Sequence, residues 1–84
     1  MTRFDYDAAA ELFPMRKRLR GGEQFGYRRF EQAAQAIRFA IEDVPPEYLV
    51  GAFLEVDERR YGSADIRRLY DSAEYPLIRR VTRS

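Results

Sequence analysis

The residue types that carry most enzyme chemistry are missing from this chain. Its 84 residues include no histidine and no cysteine. That removes the commonest general base near neutral pH and the commonest metal ligand. It also excludes Ser-His-Asp, Cys-His and zinc–thiolate arrangements within one chain. The remaining candidates are adjacent carboxylates, Glu42-Asp43 at a helix end and Asp57-Glu58 in a turn. Carboxylates so placed ordinarily serve as solvated surface charge. Gly21-Gly22 is followed by neither the lysine nor the helix start that phosphate cradling needs. The expectation is a non-enzyme with no catalytic residue, no cofactor and no metal.

Charge distribution is more informative. Arg16, Lys17, Arg18, Arg20, Arg28 and Arg29 stand against the single Glu23 over residues 16–29. Residues 30–78 are net acidic, and the tail adds Arg79, Arg80 and Arg83. The formal net charge of +1 therefore conceals an acidic body with basic arms, and arms of that kind point to a partner. Lys17 is the single lysine. The arginine excess runs through the whole chain, which fits codon bias better than selection for bidentate contacts.

Two contact surfaces can be drawn from these residues. The first is a protein contact. On a regular helix Phe39 falls opposite Phe30, off the apolar stripe, and Leu49 and Phe53 fall on the strand face opposite Val50, Ala52, Leu54 and Val56. Phe39, Leu49 and Phe53 together would meet a protein partner or a second copy, unless another part of the chain folds over them. The second is an RNA or single-stranded nucleic-acid contact. It would use Arg16, Lys17, Arg18, Arg20, Tyr27, Arg28, Arg29, Arg79 and Arg80, because arginines neutralise phosphates and rings stack on unpaired bases. Tyr27-Arg-Arg-Phe30 resembles the aromatic strand of an RRM only in part, since it lacks that motif's Gly and Val spacing. The protein contact is the primary reading.

The elements that must hold these residues are short. Asp7 to Phe13 reads as a helix capped by Asp7 and stopped by Pro14. Residues 15–26 read as a basic, glycine-containing flexible loop. Tyr27 to Phe30 is a strand candidate. Ala33, Ala34, Ile37, Ala40, Ile41 and Val44 recur at steps of three and four, predicting a helix over 31–44 that Pro45-Pro46 ends. Residues 49–56 read as a strand. Asp57-Glu58 is a turn candidate that pairs Val56 with Arg59, Glu55 with Arg60 and Leu54 with Tyr61. Ser63 reads as the N-cap of a second helix, with Ile66, Leu69, Tyr70 and Ala73 as its apolar face and a stop near Tyr75. The expected core runs from Phe30 and Ala33 through Ile37, Val50, Leu54 and Tyr61 to Ile66, Tyr70 and Ala73.

The order β-α-β-β-α predicts a small two-layer α+β domain, with helices on one face of a three-stranded sheet. Residues 1–26 would form an N-terminal appendage and basic loop, 27–76 the core, and 77–84 a basic tail. No apolar run approaches the length of a membrane span. The start lacks the pattern of a signal peptide, and a cytoplasmic location is the expectation.

Gly26-Tyr-Arg-Arg-Phe30, the run from Ala36 to Pro46 and the run from Ile66 to Pro76 resemble a family of small uncharacterised proteins of alphaproteobacteria. The resemblance covers roughly residues 26–78. It implies bacterial, cytoplasmic origin and a structure determined ahead of a function. No activity comes with it, so no functional residue is carried over.

Overall fold

Ala10 and Leu12 point one way from the backbone and Glu11 and Phe13 the other. This period of two makes Ala10–Phe13 a strand, β1, where a helix was expected. The computed structural model of the chain describes residues 4–13 and 26–78. The further elements are β2 Arg28–Phe30, α1 Ala33–Arg38 with a π-helical turn Phe39–Asp43, α2 Pro46–Leu49, β3 Phe53–Val56, β4 Arg59–Gly62 and α3 Ser63–Asp71. The domain is α+β. Its sheet has four antiparallel strands in the order β2-β1-β3-β4, so the expectation of three is corrected. β1 lies inside the sheet, paired on both sides, although it falls within the expected appendage. Local propensity favours a helix over Ala8-Ala9-Ala10, but two strand partners outweigh propensity in so short a run.

α1 and α3 pack against the sheet and against each other, sharing one buried cluster with its strands. Ala10, Leu12, Leu54 and Val56 face them, and Leu12, Ile37, Leu54 and Ile66 form the fully buried centre. Burying side chains of this size stabilises by about 1.5–3 kcal/mol each. The N-terminal segment also caps α1. Its Tyr6 and Ala8 carbonyls accept from the N–H groups of Ala34 and Ala33 at 3.0 and 2.6 Å. These donors would otherwise be orphaned at the helix start. The Tyr6 hydroxyl donates to the Leu69 carbonyl at 2.8 Å, tying the same segment to α3.

The β3–β4 hairpin has the expected register throughout: Val56 opposite Arg59, Glu55 opposite Arg60, Leu54 opposite Tyr61. Asp57 and Glu58 both adopt positive φ, 52° and 67°. That is the turn whose twist matches the flanking strands.

Elsewhere the chain departs from expectation. The second strand starts at Phe53, not at 49, because Pro46 opens a helical turn in which the Leu49 N–H reaches the Pro45 carbonyl at 3.2 Å. Gly51, with φ of 90°, then redirects the chain. Val50, expected in the core, is consequently 64% exposed. Gly62 occupies the N-cap of α3, and Ser63 is its first residue without a side-chain cap. α3 ends at Asp71, so Ala73 leaves the apolar face and is exposed. Tyr75 takes a core position instead, its hydroxyl donating to the Ala34 carbonyl at 2.9 Å.

Candidate interaction face on the open side of the sheet

Among the described residues no helix covers the second face of the sheet, and the strand registers lay two rows of side chains across it. One row reads Arg29, Glu11, Glu55 and Arg60 from β2 to β4. Two carboxylates thus lie directly opposite each other on neighbouring strands, an unfavourable pairing. The flanking arginines complete a plus–minus–minus–plus pattern. The next row holds Phe13 opposite Phe53, with Gly62 beyond Phe53 on β4. Tyr27 precedes β2 and closes the row at the other end.

The rings form a continuous ladder. Phe13 and Phe53 are stacked, centroids 4.8 Å apart and planes 22° from parallel. Tyr27 tilts against Phe13 at 5.2 Å. At the far end the Arg60 guanidinium lies 4.8 Å from the Phe53 centroid. The order is therefore Arg60, Phe53, Phe13, Tyr27. Phe13 and Phe53 present faces to one another, while Tyr27 is inclined 47° to Phe13. The Tyr27 hydroxyl donates to Glu11 at 2.7 Å, bridging the two rows. That hydrogen bond raises the pKa of the phenol above its usual range, aided by desolvation and by the Glu11 charge and opposed by Arg29.

The structure does not bring Phe39, Leu49 and Phe53 together. Phe39 packs on the helix side, 5.7 Å from Phe30 and under the Arg28 guanidinium at 4.6 Å. The expected opposition to Phe30 fails because Phe30 lies in β2 and not on the helix. Leu49 packs against the core from α2. Phe53 alone of the three projects onto the open face. The basic set divides as well. Tyr27 and Arg29 belong to the open face, Arg28 to the helix side. Arg16, Lys17, Arg18, Arg20, Arg79 and Arg80 lie outside the described residues. Phe13 and Glu11 were missed by the sequence reading, although the alternation of Ala10-Glu11-Leu12-Phe13 carried their signal.

The carboxylate pairs are also placed. Asp57 and Glu58 are exposed in the hairpin turn. Glu42 accepts a hydrogen bond from the Tyr70 hydroxyl at 2.5 Å. Among the described residues no group of carboxylates is arranged to hold a metal ion, and no helix is long and apolar enough to cross a membrane. Comparison with protein-family models, curated proteins and solved structures finds no match for the chain.

Proposed function

We propose that this protein is a non-catalytic interaction module that receives a partner protein, or a second copy of itself, on the open face of its sheet. The observation that carries this reading is the ladder Arg60, Phe53, Phe13, Tyr27. An open face of an antiparallel sheet ordinarily carries polar residues. Here it carries an apolar ridge bounded by arginines and carboxylates. Aromatic residues and arginine are the types most enriched where binding energy concentrates in protein interfaces. Single-stranded nucleic acid fits this ridge less well, since base stacking needs free ring faces. The faces of Phe13 and Phe53 lie against each other and against Tyr27 and Arg60.

The test uses the full chain and two variants, Phe13→Ser and Phe53→Asp, each checked for folding by circular dichroism. Each is used to capture protein from native extract with and without nuclease, and light scattering reports self-association. Capture or dimerisation that both substitutions abolish, unaffected by nuclease, is expected. Capture that survives both substitutions, or disappears with nuclease, overturns the reading.

A further inference from the structure

The open face is not uniform along its strands. Glu11 and Phe13 lie two residues apart on β1, and Glu55 and Phe53 two apart on β3. The charged row and the aromatic row therefore run side by side, about 7 Å apart. On the side of the charged row away from the rings, Ala9 continues the alternation of Glu11 and Phe13 and is exposed. It presents only a methyl group. A hollow of about 230 Å³ opens there, lined by Ala9, Glu11, Glu55, Asp57, Glu58 and Arg29. The lining sets four carboxylates against one guanidinium.

The other cations of the hairpin do not correct this imbalance. Arg60 stands opposite Glu55 in the register, but its guanidinium lies over the Phe53 ring at 4.8 Å, in the aromatic row. Arg59 stands opposite Val56 and lines a separate groove, with Phe4, Tyr61 and Leu69. Glu11 is held by the neutral Tyr27 hydroxyl. Among the described residues none of the four carboxylates of the hollow forms an ion pair.

We infer that the partner's contact segment alternates basic and apolar residues: a lysine or arginine enters this hollow, and about 7 Å along an apolar side chain lies on the Phe13–Phe53 stack. This deepens the open-face reading and rests on it. Residues two apart on an extended strand have the required spacing, and two sheets packed face to face keep their strands within about 30° of each other. Covering the carboxylates with an apolar surface would strand their charge, whereas a lysine or arginine among them makes charge-assisted hydrogen bonds.

A second copy of this face does not meet that need. The row Arg29, Glu11, Glu55, Arg60 has the same order of signs from either end. Superposing the rows of two copies about a two-fold axis, whether along the strands or across them, sets carboxylate over carboxylate and arginine over arginine. A foreign basic segment is the occupant that the charges select.

The probe is a synthetic capped peptide, Ser-Lys-Thr-Phe-Thr-Lys-Ser, whose lysines and phenylalanine share one side when extended. It is titrated to millimolar concentration into the isotope-labelled full chain and followed by NMR. The expected result is saturable shifts at Glu11, Phe13, Phe53 and Glu55. Glu55→Gln, checked for folding by circular dichroism, should weaken binding by about three- to fivefold. A peptide with glutamate in place of both lysines should move none of these signals.

Equal affinity for the glutamate peptide, or unchanged affinity in Glu55→Gln, overturns the basic assignment and leaves the open-face reading standing. A titration that moves no signal of the open face, or that moves Tyr61 and Leu69 in its place, overturns the proposal. A dimer of the free chain in light scattering that Phe53→Asp dissolves names a second copy as the occupant. That result overturns the basic-partner assignment while upholding the open-face reading. The open-face reading fails separately, when capture survives both Phe13→Ser and Phe53→Asp.

Discussion

Phe13 and Phe53 stack face to face across the central β1–β3 pair, 4.8 Å between centroids, on the side of the sheet that no helix among the described residues covers. The contact joins a segment near the N-terminus to the middle of the chain. It couples the integrity of the sheet to the shape of the proposed interaction face.

The stack predicts a measurable coupling. In a double-mutant cycle with Phe13→Leu and Phe53→Leu, urea unfolding should give an interaction free energy of about 0.5–1.5 kcal/mol. Additive losses would mean that the two rings contribute to stability separately.

β1 belongs to the folded body, so a core substitution there should act on the whole domain. Leu12 is fully buried between Ala10 and the helices. Leu12→Ala should destabilise by about 2–5 kcal/mol. In a domain this small that is a large share of the stability, and thermal unfolding followed by circular dichroism reads it directly. A change close to zero would return residues 4–13 to the status of an appendage.

The hairpin turn holds Glu58 at φ 67°, in the left-handed region. That conformation costs a residue with a Cβ roughly 1–2 kcal/mol, while glycine adopts it freely. After glycine's own entropic loss in the unfolded chain, Glu58→Gly should stabilise by about 0.5–1 kcal/mol. Denaturant midpoints of the two proteins check this, and a lower midpoint for Glu58→Gly would contradict the strained turn.

The Tyr27 phenol donates to Glu11 and has a raised pKa, chiefly through that hydrogen bond. Its protonated form is favoured in the folded state. The contribution is thus fully present below the phenol's unfolded pKa and is lost as pH rises through the raised folded value. An NMR titration followed at the Tyr27 ring should show this phenol ionising above its usual range. In Glu11→Gln the same ring should ionise earlier. A Tyr27 ionisation that Glu11→Gln leaves unmoved would contradict the hydrogen bond as the cause.

Some of this architecture was readable from residue types alone. The two-layer α+β class follows from apolar positions at steps of three and four over 33–44 and 66–70, separated by a strand pattern. The hairpin register could be derived in full, because Glu55 opposite Arg60 and Leu54 opposite Tyr61 satisfy both faces at once. These are local patterns, within a few residues of the bonds they predict. The missing histidine and cysteine likewise bounded the chemistry before any fold was known.

Long-range contacts decided the rest. Ala8-Ala9-Ala10 satisfies a helix by local propensity, yet β1 is a strand because two others flank it, and that pairing gain is invisible in a short window. Phe39 looked exposed on a helical wheel, but β2 brings Arg28 and Phe30 over it. The ladder Arg60, Phe53, Phe13, Tyr27 draws on residues of β4, β3 and β1 and on the approach to β2. No spacing along the chain encodes it, because only strand register sets which side chains become neighbours across a sheet.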